Sequence, residues 1–321
     1  MKIAFIAKFS KIYDEEGKAL SLERLGHTVY RFNETTFNQD PLTNNINSLL
    51  SLTPDVVIFT KLRVPNAGDV IKILKENNIL TVSWFPDYCF KWNQGLLQNN
   101  ESCPISNADL LLIPDGINED LFNKLNIEKH CVRQDIYDEF CYRGTPIDNL
   151  NKDILFVGTT EHAIYEHRRP LINFLKNTYG DKFLHLGGSN SDEVRNRDLN
   201  DIIASVKVVI GDSLYNPYYW SNRIYETIGR GGFMLHSYTE GIDEEYKVGE
   251  HFDTYHTYGE NKWGRNIDFD DLKSKIDFYL KNDEKRLSII NKGMEYTKQH
   301  HTLLNRSKQV IDIIKRKNNE N

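Results

Sequence analysis

A chain of 321 residues exceeds the usual reach of one hydrophobic core, so two domains of roughly 150 residues each are expected. With 39% hydrophobic residues and 27% charged residues of both signs, it composes as a packed globular protein and not as a disordered one. The formal net charge of -6 gives no global attraction for nucleic acid or an anionic membrane. No apolar run approaches the roughly 20 residues that span a bilayer, and the N-terminus lacks a signal-peptide core, which reads as a cytoplasmic protein.

Along the chain, short strand-like runs alternate with segments of helical period, the mark of parallel sheets covered by helices on both faces. Residues 3–7 read as a buried strand, a helix through Ala19, Leu22 and Leu25 ends at Gly26, and residues 27–32 begin the next strand. The unit recurs with a strand at 55–60, a helix through Val70, Ile71 and Leu74, then strands at 79–84 and 109–114. The segment RGTPIDNLN, residues 143–151, mixes Gly, Pro and polar residues without period, so one Rossmann-like domain is placed at 1–147 and a second at 148–300. That second domain reads strand 154–158, helix 165–179, strand 183–187, helix 199–206, strand 208–212, helix 221–230 and strand 233–236. Leu272 and Ile276, then Leu287 and Ile290, then Val310 and Ile313 mark three amphipathic helices; residues 301–321 form the last, expected to pack back toward the first domain. The four cysteines, Cys89, Cys103, Cys131 and Cys141, are too irregularly spaced for a C-x-x-C site and read as thiols in the core.

In sheets of this type ligands sit beyond the carboxyl ends of the strands, and two such domains facing each other would share one crevice there. Helix N-termini at such a place favour an anion such as a diphosphate. The stretch YYWSNRIYETIGRGGFMLHSYTEG, residues 218–241, carries Arg223 and Glu226 three apart on one helix face. Two readings stand side by side: a surface ion pair, or Glu226 accepting from ribose hydroxyls while Arg223 reaches the diphosphate. The twin Arg168–Arg169 is either a solvated helix face or a phosphate contact. Gly187 allows a nucleotide close approach or simply a tight turn. In the first half, Asp87 follows a strand and reads as a general base for the acceptor hydroxyl or as a helix cap. Trp84, Tyr88 and Trp92 are a sugar platform or core, and Lys8 opens a loop, residues 8–17, bordering the expected crevice. Asp268-Phe269-Asp270 matches a metal-binding D-x-D but directly precedes a helix, so it reads as a cap. The histidine pairs lack i,i+4 ligand spacing, and no metal is expected.

The order of motifs, with VGTTEHAIYEHRRPLINFL followed by SNRIYETIGRGGFMLHSYTEG and a helix ending near HHTLLNR, resembles the CgeB-like (spore-maturation type) group of GT-B glycosyltransferases. The resemblance spans nearly all of the second half. It implies the GT-B fold, two Rossmann-like doubly wound α/β domains, and metal-independent transfer of a sugar, with no cofactor beyond a UDP-linked nucleotide-sugar donor. It implies donor binding by Gly158, Thr159, Arg168 or Arg169, and by Asn222, Arg223, Glu226, Glu240 and Gly241, joined by Ser221 and Gly187. Catalysis would fall to Glu226, Arg223 and Asp87, with the acceptor, a hydroxyl of a glycan, surface polysaccharide or protein, at Lys8, Trp84, Asp87 and Tyr88. Glu226 resembles the second glutamate of the E-x7-E motif of retaining enzymes, while the first falls at Tyr218, a departure from the pattern. Alternatives are a viral-type DNA glycosyltransferase acting on a hydroxylated base, suggested by the Asn-, Lys- and Ile-rich composition, a sugar-nucleotide epimerase, and a catalytically degenerate nucleotide-binding module.

Overall fold

The computed structural model describes residues 1–9, 14–37, 44–64, 66–86, 104–116, 128–160, 167–187, 196–261 and 264–320. It divides into two compact units, residues 1–134 with 303–321, and residues 135–302.

The first unit is built on six parallel strands, β1 (Lys2–Ala7), β2 (Thr28–Asn33), β3 (Val56–Phe59), β4 (Leu80–Trp84), β5 (Leu110–Ile113) and β6 (Lys129–Cys131), in the order β2-β1-β3-β4-β5-β6. β1 and β3–β5 are buried and nearly all apolar, as strands covered on both faces must be. Helices Asp14–Arg24, Asn44–Ser51 and Ala67–Glu76 connect them, the last burying Val70, Ile71 and Leu74. The terminal helix Leu303–Glu320 completes this unit: Gln309 Nε2 donates to the carbonyl of Cys131, Arg306 Nε to that of Gln134, and Lys317 pairs with Glu128.

In the second unit β7 (Ile154–Val157), β8 (Phe183–Leu186), β9 (Val208–Gly211), β10 (Met234–Ser237) and β11 (Asp253–Tyr255) form a parallel sheet of order β11-β10-β9-β7-β8. An antiparallel hairpin, β12 (Thr257–Asn261) and β13 (Gly264–Ile267), follows. One core layer packs Phe156, Ile210, Phe233 and Leu235 against Leu272, Ile276 and Tyr279 of helix Phe269–Lys281. Asp268 caps that helix by accepting from the Asp271 N–H, so the D-x-D is a cap.

Residues 135–147 fall in the second unit, whereas composition places them in the first. The reason is a set of polar contacts to helix Asn196–Ser205: Asn200 Nδ2 donates to the carbonyls of Phe140 and Tyr142, Asp201 takes the Thr145 N–H, and Ser205 Oγ takes the Ile147 N–H. The Gly-Pro segment is thus a strap on a helix and not a linker. No described helix is long and apolar enough to cross a membrane.

Candidate functional site

The carboxyl ends of β7, β9 and β10 in the second unit converge on one buried carboxylate. Asp212 follows β9, is 3% exposed, and is gripped from three sides. Arg168 Nε donates to its Oδ2 at 2.8 Å, His167 Nε2 meets the same oxygen at 2.7 Å, and Arg223 Nη1 binds Oδ1. Burial alone would raise the Asp212 carboxyl, but the two guanidinium groups and His167 hold it well below the usual carboxylate range. Two arginines on one carboxylate leave an excess of positive charge, which suits an anion.

The helices supply this geometry. His167 and Arg168 open helix Arg168–Tyr179, whose Leu171, Ile172 and Leu175 anchor it in the core. Arg223 opens helix Arg223–Gly229, fixed by buried Ile224, Tyr225 and Ile228. Both guanidinium groups lie over the ring of Phe156, at 5.9 Å for Arg168 and 5.3 Å for Arg223. Arg168 also donates to the carbonyl of Thr159 at 2.9 Å. Beside them, Gly158 leaves a gap: a Cβ there would sit 3.3 Å from Arg168 Nη1 and 3.6 Å from Arg223 Cζ. Gly187 meets the same turn, where a Cβ would come within 3.0 Å of the Gly158 backbone.

A hydrogen-bond relay supports the floor. His236 on β10 is fully buried, which pushes its imidazole down to about 4, so it is neutral. Its Nδ1 donates to the Ser237 carbonyl, which leaves Nε2 to accept from Ser213 Oγ at 3.2 Å. Ser213 Oγ in turn accepts the Ser221 N–H at 2.7 Å, and Ser221 Oγ donates to the Asp212 carbonyl.

Next to Asp212 a pocket opens, walled by Ser213, Tyr215, Tyr238, Tyr255, Thr257 and Arg265. The β12–β13 hairpin carries Arg265 there, where its guanidinium lies 4.0 Å over the Tyr215 ring and donates to the Tyr215 hydroxyl at 2.6 Å. Arg265 Nε and Thr257 Oγ1 are buried and, among the described residues, unpaired, as is Asn222 Oδ1 at the start of helix Arg223–Gly229. Buried polar atoms of this kind call for a partner.

The residues singled out in the sequence divide as follows. Gly158, Thr159, Arg168, Gly187, Ser221, Asn222 and Arg223 come together around Asp212. Arg169 does not; it is exposed on the outer face of its helix. The Arg223–Glu226 pairing does not form either, because Arg223 turns to Asp212 while Glu226 binds Arg230 one turn on, at 2.6 Å. Arg230 is 3% exposed, and its guanidinium also reaches Asn200 and lies 4.9 Å over the Phe140 ring. Glu240 is exposed, and its carbonyl accepts the Tyr218 N–H at 2.8 Å. Gly241 has φ +86°, and a Cβ would overlap the Tyr218 ring, so this position requires glycine.

In the first unit Trp84 is 3% exposed, a core residue and not an open platform. Lys8 is exposed, and the expected loop 8–17 is helical from Asp14 onward. Asp87, Tyr88 and Trp92 lie outside the described residues. Asp212 and Arg265 were missed in the sequence: an Asp after Val-Ile-Gly at a strand end places the first at the ligand edge of a sheet without marking its role, and nothing local marks the second.

The fold was compared with solved structures. HepE of Anabaena, in complex with UDP and glucose, superposes with a TM-score of 0.66 at 11% identity, covering 98% of this chain and 99% of the other. This is the GT-B glycosyltransferase fold. Sucrose-phosphate synthase from Thermosynechococcus elongatus gives a TM-score of 0.63 at 12% identity over 100% of both chains. A glycosyltransferase from Rickettsia africae ESF-5 gives 0.62 at 12%, over 98% of each. Residues 167–312 match the glycosyl transferase-like family, a region that begins at His167 and contains Arg168, Asp212, Arg223 and Arg265. A search of curated proteins finds no match. Fold and family match are both those of glycosyltransferases.

Proposed function

We propose that the chain is a glycosyltransferase that takes a UDP-sugar and passes the sugar to a hydroxyl acceptor, within the CgeB-like group that its motifs resemble. The observation that carries this reading is the buried Asp212 shared by Arg168 and Arg223 at the carboxyl end of β9. Asp212 orients the arginines, and their excess charge receives the diphosphate and stabilises it as it departs, so that guanidinium groups do the work that a metal ion does elsewhere. The adjacent pocket takes the nucleoside, with Arg265 on Tyr215 as one wall and Thr257 as a hydrogen-bond partner. Glu226, oriented by Arg230, serves the ribose hydroxyls. The UDP in the HepE complexes, a protein of the same fold, supports the choice of nucleotide. The first unit provides the acceptor site. Retention of anomeric configuration is the expected outcome, with Tyr218 in place of the first E-x7-E carboxylate, so that no covalent role is assigned to position 218.

Calorimetry with UDP, ADP and GDP tests the donor site. UDP should bind most tightly, and Arg223→Ala should weaken it by about tenfold to a hundredfold, the loss of one charge-assisted contact. Undiminished UDP binding by Arg223→Ala, or no binding of any nucleoside diphosphate by the unaltered chain, would overturn the assignment.

A further inference from the structure

Among the described residues of the first unit, one largely buried cation has no anion beside it. Lys18 lies on helix Asp14–Arg24, is 6% exposed, and sets its ammonium 4.7 Å from the centroid of the Trp84 ring. Among the described residues it has that ring and neither a hydrogen bond nor an ion pair. Burying an ammonium group without an anion is unfavourable, and lysines are almost never this buried unless paired. An indole face offsets only part of that cost. The stem of Lys18 is buried, whereas its ammonium is not among the fully enclosed polar atoms that lack a hydrogen bond, so an anion can reach it.

The position carries the same message. Trp84 closes β4, so the Lys18 ammonium sits at the carboxyl end of the first sheet, the edge at which ligands of doubly wound sheets are held. A second cation stands at that edge, Lys61, two residues beyond β3 and 5.5 Å from the ring of Phe85, the residue after Trp84. Both ammonium groups thus rest on consecutive aromatic residues at the end of one strand.

We infer that Lys18 is the contact for an anionic group on the acceptor, a carboxylate or a phosphate, so that the enzyme favours acidic sugars over neutral ones. This rests on the reading of the first unit as the acceptor site. Trp84 then acts as the support that holds the ammonium in place, consistent with its burial. The anion completes the ion pair that Lys18 lacks among the described residues, which a neutral hydroxyl in its place cannot do.

The test uses the full chain with four probes, glucuronate, glucose 6-phosphate, glucose and the methyl ester of glucuronate, and with Lys18→Met and Lys18→Arg. Binding is read by saturation-transfer NMR. The unaltered chain should bind at least one of the two anionic sugars tenfold or more tightly than glucose; glucuronate alone would identify a carboxylate as the group recognised, glucose 6-phosphate alone a phosphate. Lys18→Met should lose that preference, and Lys18→Arg should keep most of it. Lys18→Met should also melt at or above the temperature of the unaltered chain, because it replaces a largely buried lysine that has no ion pair among the described residues with an apolar side chain. Equal binding of charged and neutral sugars, an unchanged preference in Lys18→Met, or a lowered melting temperature with no change in preference would each overturn the inference. UDP titrated into the same variants separates the two readings: UDP binding unaffected by Lys18→Met leaves the donor site standing whatever the sugars do.

Discussion

Replacing Asp212 by Asn keeps the shape of the side chain and removes its charge. The structure fixes what this does. Side-chain exposure is 6% at Arg168, 17% at Arg223 and 13% at His167, so the two guanidinium groups lose their counter-ion in a place water scarcely reaches. Breaking a buried pair by removing one partner costs about 3–5 kcal/mol, and the amide oxygen of Asn, which still accepts one hydrogen bond, sets the expectation at about 3. For a domain of this size that corresponds to a fall in melting temperature of roughly 10 °C. Differential scanning calorimetry of Asp212→Asn, with and without pyrophosphate, measures it. Pyrophosphate should recover part of the loss, since an added anion replaces the charge removed. A variant that melts within about 2 °C of the parent would refute the view that this carboxylate organises the arginines.

Other outcomes follow from the same geometry. Gly241→Ala places a methyl group against the Tyr218 ring at a left-handed backbone position, and urea unfolding should show a loss of about 3 kcal/mol. Glu226→Gln leaves the buried Arg230 without its ion pair, and should lower both stability and turnover; adding Arg230→Met should restore the stability and leave the turnover low. Stability should fall on acidification. His236 is held down to about 4 in the folded chain against an ordinary value near 6.5, so the unfolded chain takes up the proton first. Its contribution is complete above pH ~6.5 and is lost progressively down to pH ~4, about 3 kcal/mol in all. His27, His185 and His251 are displaced in the same direction by burial and add to the slope. Below pH ~4 the protonation of Asp212, whose carboxyl is likewise depressed, removes more. Urea midpoints between pH 8 and 4 for the parent and His236→Asn test this, and a parent midpoint that stays level over that range counts against it.

The fold was largely legible because parallel strands buried on both faces are written as apolar runs: IAFIA, VVIF, LLLI and VVIG all read as strands and are strands. β6, of sequence KHC, and the hairpin strands TYGEN and GRNI carry no such run, since short edge strands and ribbons answer to their neighbours and not to the core. The site was half legible. Arg168 and Arg223 could be found because they stand in motifs at helix starts, but their shared partner Asp212 is 44 and 11 residues away, and an aspartate at a strand end looks like any turn residue. The i,i+3 spacing of Arg223 and Glu226 was a poor guide, because Asp212 and Arg230 compete for the two charges and lie where burial makes the contacts stronger. The place of residues 135–147 depended on Asn200, a side chain in another element, which composition cannot report.

The helix Leu303–Glu320 belongs to the unit in which the chain begins, so that unit is sewn from two pieces separated by the whole of the other. During synthesis, the middle piece can finish folding while the earlier one still waits for its last helix to leave the ribosome. The faces of β6 and helix Asp14–Arg24 that the returning helix covers stay open for that interval. A stop codon after about residue 302 would therefore damage the beginning of the protein and spare its middle, an inversion of what truncation usually does.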